Sequence, residues 1–198
     1  KLLQITSGLF GENSQSTQLV EQFSQQFTTQ HSDVSIIQRD LVSNPIPQLD
    51  ATVVTAFMTP EAERTSQQQG IVEFSDQLIT EIKQAHSIVL GLPMYNFGIS
   101  SQLKAYFDQL ARAGVTFTYT ENGPKGLLED KPVYILAARG GIHKGQSTDS
   151  QTEFLKTIFG FIGLSNLKFI YAEGLNMGEE AQFNAVATAK QEIEGVFA

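Results

Sequence analysis

Ile88-Val89-Leu90-Gly91-Leu92, followed at once by Pro93-Met94-Tyr95-Asn96-Phe97-Gly98, is the stretch on which the fold turns. An unbroken apolar run of this length reads as a strand buried on both faces, as happens in a parallel sheet covered by helices. Val133 to Ala138 has the same character. Three further short runs, Leu2 to Ile5, Val34 to Ile37 and Leu167 to Ala172, complete a set of five. The second alternates through Val34, Ser35 and Ile36 and the fifth through Leu167, Lys168 and Phe169, which marks both as edge strands. Between the runs, apolar residues recur at helical spacing: Leu19, Val20, Phe23 and Phe27; Ile71, Phe74, Leu78 and Ile82; Leu103, Tyr106, Phe107, Leu110 and Ala111; Phe154, Leu155, Ile158, Phe159 and Ile162; and, less regularly, Phe183, Val186, Lys190, Ile193 and Phe197. Strands alternating with helices predict an α/β class, a doubly wound five-stranded parallel sheet. Two edge strands in second and fifth place favour the order 2-1-3-4-5, with a Rossmann-type order as the alternative.

A chain of 198 residues is one domain's worth, so residues 1–198 are expected to form a single domain. The composition, 41% hydrophobic and 17% charged, is that of a globular protein. With 13 basic and 21 acidic residues the net charge is -8, which repels phosphate backbones and argues against a nucleic-acid partner. No cysteine is present, so disulfides, thiolate metal sites and a cysteine nucleophile are excluded. Redox chemistry would have to come from a bound cofactor. The apolar runs are far shorter than the ~20 residues that span a bilayer, and the first residues lack a signal-peptide pattern. The expectation is a cytoplasmic protein without membrane contact. His31 and His86 have no ligand spacing with a second histidine or a carboxylate cluster, and no metal site is expected.

Two segments interrupt the alternation. Asn44-Pro45-Ile46-Pro47 closes the second unit in an extended turn, and residues 48 to 70, rich in Gln and Thr, predict a helical excursion without legible boundaries. Val115 to Thr120 alternates strictly with Thr and is followed by Asn122-Gly123-Pro124-Lys125-Gly126, which predicts an inserted hairpin.

In an open parallel sheet, ligands bind beyond the carboxyl ends of the strands where the strand order reverses, here between the first and third strands. Three loops lead there. Thr6 to Ser16 is rich in Gly and hydroxyls and ends at a helix start, a setting that suits a phosphate or an ordinary N-cap by Ser14 or Ser16. Lys1 is the only basic residue before Arg39, so a monophosphate fits better than a triphosphate, and neither a P-loop lysine nor G-x-G-x-x-G is present. Pro93 to Gly98 puts Met94, Tyr95 and Phe97 either at the crevice mouth, against a flat and partly apolar ligand, or packed beneath the loop. Ala138-Arg139-Gly140-Gly141-Ile142-His143 offers glycine amides beside an arginine and a histidine, able to stabilise a developing anion or simply to make a tight turn. A monophosphate, an aromatic plane and an electron-rich carbonyl edge are the three parts of FMN.

The chain closely resembles the FMN-dependent NADH azoreductases, flavodoxin-like relatives of the NAD(P)H quinone oxidoreductases. The markers are Ser14-Gln15-Ser16, Asn44 to Pro47, Pro93 to Phe97, Ala113 to Phe117, Tyr119 to Pro124, Arg139 to His143, and Gly160-Phe161-Ile162-Gly163. The resemblance spans nearly the whole chain. It implies one FMN per subunit, with Gly8, Ser14, Gln15 and Ser16 at the phosphate and Pro93, Met94, Tyr95, Asn96 and Phe97 along the ring. Ala138, Arg139, Gly140, Gly141 and His143 would meet the pyrimidine end. His143 and Asn96 are the candidate catalytic residues, and no obligatory proton donor is assigned. Gly8 stands where many relatives carry a phosphate-binding serine and Ala138 where some carry a serine, so FMN is expected to bind still, through backbone amides, but less tightly. The resemblance further implies ping-pong hydride transfer from NADH through flavin N5 to a quinone or azo compound. It also implies a homodimer whose substrate pocket includes Tyr119 and Phe161.

Two rival classes differ in kind. A flavodoxin-type electron carrier shares fold and cofactor but serves protein partners, and the extra walls at residues 44–70 and 115–126 favour the enzyme. A hydrolase rests on Ser101-Gln102-Leu103-Lys104 alone, a match to S-x-x-K at a helix start without its companion motifs.

Overall fold

The computed structural model describes residues 1–31 and 33–198. Five parallel strands form one sheet in the order β2-β1-β3-β6-β7: β1 is Leu2–Thr6, β2 Ile36–Asp40, β3 Ser87–Pro93, β6 Val133–Arg139 and β7 Leu167–Glu173. Counted as core strands this is 2-1-3-4-5, with the two alternating runs at the edges, and the Rossmann-type order is ruled out. A second sheet is the antiparallel hairpin of β4 (Phe117–Thr120) and β5 (Gly123–Gly126), inserted after α4 (Ser101–Leu110). The remaining helices are α1 (Gln15–Gln30), α2 (Ala51–Met58), α3 (Ser66–Gln84), α5 (Ser150–Ile162) and α6 (Glu179–Val196).

Alternation along the buried strands divides the core in two. Ile88, Leu90, Leu92, Val133, Ile135 and Ala137 face α3, α4 and α5, while Val89, Tyr134 and Leu136 face α1 and α6. Gly91 eases a close approach on the second face: a Cβ there would stand 3.1 Å from the Ser16 carbonyl oxygen, so its absence lets the first turn of α1 lie closely against β3. That approach brings the start of α1 over the crevice.

Two sequence expectations are corrected and one is given its boundaries. The second strand lies at Ile36–Asp40, not Val34 to Ile37, because at a sheet edge Gln38, Arg39 and Asp40 can pair with β1 without burying their side chains. Arg39 instead pairs with Glu81 of α3. The excursion over 48–70 resolves into α2, capped by Asp50 on the Val53 N–H at 2.9 Å, a turn at Glu61–Glu63, and the first residues of α3, opened by a Thr65–Gln68 capping box. On α6, Phe183 is 74% exposed and the buried positions are Ala189 and Ile193. No described helix is long and apolar enough to cross a membrane.

Candidate functional site

The β1–α1 loop folds back on itself through Gly11 N–H to Gly8 O (3.0 Å) and Ser14 N–H to Gly11 O (3.0 Å). The first intrahelical bond of α1 runs from the Gln18 N–H to Ser14 O at 3.0 Å, so the amides of Gln15, Ser16 and Thr17 have no helical acceptor. Ser14 does not cap them. Its hydroxyl accepts the Phe10 N–H at 3.2 Å instead. Beside these amides the hydroxyls of Ser16 and Thr17 are buried and have no hydrogen-bond partner among the described residues. Buried polar atoms without partners are uncommon, and here they cluster at the positive end of a helix. Of the two readings open for this loop, the anion cradle fits and capping by Ser14 does not. Gly8 belongs to the same knot: a Cβ there would lie 2.4 Å from Ser14 Cβ, so a serine at position 8 requires Ser14 to move.

The β3–α4 loop is a tight two-residue turn. Tyr95 and Gly98 exchange both backbone hydrogen bonds, at 3.0 and 2.9 Å, with Asn96 (φ 49) and Phe97 (φ 64) between them in the left-handed region. Such a turn prefers Asn and Gly, so a phenylalanine at the second position is strained by roughly 1–2 kcal/mol. Phe97 is 59% exposed and stands edge-on to His143, with ring centroids 5.7 Å apart. Of the two aromatic residues it is the one at the crevice mouth. Tyr95 is half-buried, and its hydroxyl accepts the Leu9 N–H at 2.9 Å, tying this loop to the first. Met94 N–H donates to Ala138 O at 3.2 Å, tying it to the third.

That third loop, between β6 and α5, rests on a buried polar network. Arg139 is fully buried and points beneath the loop. Its Nε donates to Gln151 Oε1 (3.1 Å), Nη1 to Glu173 (3.0 Å) and Nη2 to Asp149 (2.8 Å), with the guanidinium 5.1 Å from the Tyr171 ring centre. Its side chain is therefore spent inside the protein, so Arg139 supports the loop and does not touch a ligand with its guanidinium. Gln151 passes the connection on by donating to Pro93 O (2.9 Å) and Gly98 O (3.2 Å). Burial alone would raise the Asp149 carboxyl, but the hydrogen bonds from Arg139 and Thr152 hold it below the ordinary value of 3.8. Above this network, the Gly140 and Gly141 amides have no partner among the described residues. His143 Nδ1 lies 2.8 Å from Thr148 Oγ1.

The structure thus gathers Gly8, Ser14, Gln15 and Ser16 at one end of the crevice, Pro93 to Phe97 in the middle, and Ala138, Gly140, Gly141 and His143 at the other. Tyr119 and Phe161 lie elsewhere, in a separate aromatic cluster around Phe117, whose ring centre is 5.6 Å from Tyr119 and 4.1 Å from Phe161. Tyr119 is 73% exposed. Sequence reading missed Thr17, Asp149, Gln151 and Glu173. Asp149 alone had a local signal, as the residue that caps α5 on the Thr152 N–H at 3.1 Å. The S-x-x-K match carries no chemistry: the exposed Ser101 hydroxyl donates to Gln102 Oε1 at 3.1 Å and Lys104 pairs with Asp108 on the helix surface. Among the described residues, no group of three or more His, Asp or Glu could hold a metal ion.

A doubly wound parallel sheet of this order defines the flavodoxin-like class. Residues 1–196 match the family model described as a flavodoxin-like fold. The chain is 57% identical to an FMN-dependent NADH:quinone oxidoreductase of Cellvibrio japonicus, over 98% of this chain and 96% of that protein. It is 52% identical to the protein of the same name from Alcanivorax borkumensis, with 97% of each covered. Among solved structures, an FMN-dependent NADH-azoreductase from Bacillus anthracis in complex with FMN superposes with a TM-score of 0.86 at 26% identity, over 100% of this chain and 99% of that one. An azoreductase from Bacillus anthracis str. Sterne gives 0.90 at 25% identity, covering 99% and 97%. The chain belongs to the flavodoxin-like family that contains the FMN-dependent NADH:quinone oxidoreductases.

Proposed function

We propose that this chain is an FMN-dependent NADH:quinone oxidoreductase and azoreductase, moving two electrons by a ping-pong route from NADH to a quinone or azo compound. The observation that carries this reading is the pairing of two idle donor sets across one crevice. Three amides and two partnerless hydroxyls at the start of α1 suit a monophosphate. The free amides of Gly140 and Gly141, at the far end, suit an electron-rich carbonyl edge. Bound between them, FMN supplies hydride chemistry at N5.

The chain's own residues do the rest. Ser16 and Thr17 hold the phosphate without a positive side chain, since Arg39 is already paired with Glu81. Exposed Phe97 and half-buried Tyr95 give the flavin an apolar wall. Gly140 and Gly141 donate toward negative charge on the pyrimidine, with His143 beside them. A single substrate position suffices for a ping-pong route, in keeping with a sequence that has no separate dinucleotide fingerprint. The exposed Tyr119 and Phe161, both packed on Phe117 apart from the crevice in one chain, are assigned to the substrate pocket of a partner in a cytoplasmic homodimer. NADH is the proposed donor because no basic pair is placed for a 2'-phosphate.

Reconstitution tests the reading. A yellow holoprotein with one FMN per chain is expected, with parallel-line kinetics for NADH and a small quinone and a dimer in sedimentation. A colourless protein that takes up no FMN overturns it. Reduction by NADH only in the presence of a partner reductase supports the electron carrier instead.

A further inference from the structure

We propose that Glu173 is a positioning residue that sets the reduction potential of the bound flavin, by holding the Gly140–Lys144 loop in the conformation that aims its free amides into the crevice. The inference rests on the FMN reading above. One carboxylate oxygen, Oε1, accepts three hydrogen bonds: from Arg139 Nη1 at 3.0 Å, from the His143 N–H at 2.9 Å and from the Lys144 N–H at 2.9 Å. The residues that follow Glu173 in the chain bind the loop as well. Gly174, Leu175 and Asn176 donate their N–H groups to the carbonyls of Gly141, Arg139 and Gly140 at 3.0, 3.1 and 3.0 Å.

The peptide bond turns these contacts into a direction. In a trans peptide the N–H points opposite to the preceding C=O. With the carbonyls of Arg139, Gly140 and Gly141 all turned toward residues 174–176, the amides of Gly140, Gly141 and Ile142 are turned away from them. All three lack a partner among the described residues. Ile142 thereby joins the glycines as a third donor. The Asn176 side chain lies close against the loop, since a Cβ on Gly140 would stand 2.5 Å from Asn176 Nδ2. Donors fixed in this way stabilise negative charge without reorganising, so they favour the reduced form of a flavin over the oxidised form.

Three variants separate positioning from its rivals. Glu173→Gln can keep all three bonds on its amide oxygen while losing the charge. Glu173→Asp keeps the charge but is one methylene short of the two loop amides. Lys144→Pro removes one of those amides from the loop side and leaves Glu173 intact. For Glu173→Asp and Lys144→Pro the expected result is about a tenfold loss of preference for reduced over oxidised FMN, a midpoint lowered by about 30 mV for a two-electron couple. Glu173→Gln should stay near the wild-type potential. In FMN-free protein, deuterium uptake across residues 140–145 should be faster in the Asp variant than in the wild type or the Gln variant.

A raised potential in Glu173→Gln with an unchanged one in Glu173→Asp would assign the effect to charge and overturn the proposal. So would lowered thermal stability with no shift in any variant. Should Glu173→Asp fail to fold, an unchanged potential in Lys144→Pro overturns the proposal by itself. If the wild type takes up no FMN, it is the functional reading that fails, and the exchange experiment still reports whether Glu173 holds the loop.

Discussion

The loops at the two ends of the crevice are built in opposite ways. The β6–α5 loop has every carbonyl from Arg139 to Gly141 bound from below and sits on a buried arginine with two carboxylates and a glutamine. The β1–α1 loop instead leaves two hydroxyls buried without a partner and three helix amides unused. At one end the carbonyls are bound and the idle amides are already aimed before a ligand arrives. The other is completed by the ligand. The difference suits the proposed orientation of FMN: a phosphate brings many strong acceptors and can satisfy idle donors, whereas a flat pyrimidine edge offers few and demands that the donors be aimed beforehand.

The sharpest way to break this contrast is at its buried charge. Arg139→Met leaves Asp149 and Glu173 without their common partner, and stability should fall by roughly 3–5 kcal/mol in chemical denaturation. The matching change at the other end behaves differently. Ser16→Ala removes a hydroxyl that has no partner in the free protein, so the FMN-free form should be as stable as the wild type. FMN affinity should nevertheless fall by about tenfold or more, as expected for a lost bond to a charged group of roughly 1.5–3 kcal/mol. Riboflavin, which lacks the phosphate, should bind equally well to both proteins in a fluorescence titration, and a parallel loss for riboflavin would assign Ser16 to packing. Phe97→Gly probes the turn between the two ends. Relief of the left-handed strain should raise stability by about 1 kcal/mol, while loss of the ring should weaken flavin binding.

The smallest effect sharpens the comparison through pH. Asp149 has its carboxyl held below 3.8 in the folded protein, so its stabilisation is fully present above that value and drains away as pH falls through the lower folded value. Thermal unfolding from about pH 5 to about pH 2 should show this loss, and Asp149→Asn should flatten it. A profile unchanged by the substitution would remove Asp149 from the network's acid response.

Most of the fold was legible because burial on both faces leaves a clear trace. The runs of β3 and β6 could be read directly, and β1 with them. The edge strand β2 was misplaced because half of it is polar, and at an edge nothing forbids that. The helical boundaries over 48–70 carried signals that went unread, Asp50 ahead of α2 and Thr65-Ser66-Gln67-Gln68 at the start of α3, which are capping patterns and not apolar ones. In the site, the glycine and hydroxyl loops could be found by composition. In the sequence an arginine beside glycines resembles an anion site, whereas the fold turns the Arg139 guanidinium inward.

What the sequence determined by itself is the sheet, its order, the inserted hairpin and the three loops that meet at the crevice. These follow from local periodicity and from the rule that ligands gather where strand order reverses. What only the tertiary structure decided is which polar groups are free. Glu173, Gln151 and Arg139 look like any other polar residues along the chain. Strand register and helix packing bring them together beneath one loop and leave Ser16 and Thr17 with nothing to bind. Whether a hydrogen-bonding group is spent or idle depends on neighbours far away in sequence, and folding alone supplies those neighbours.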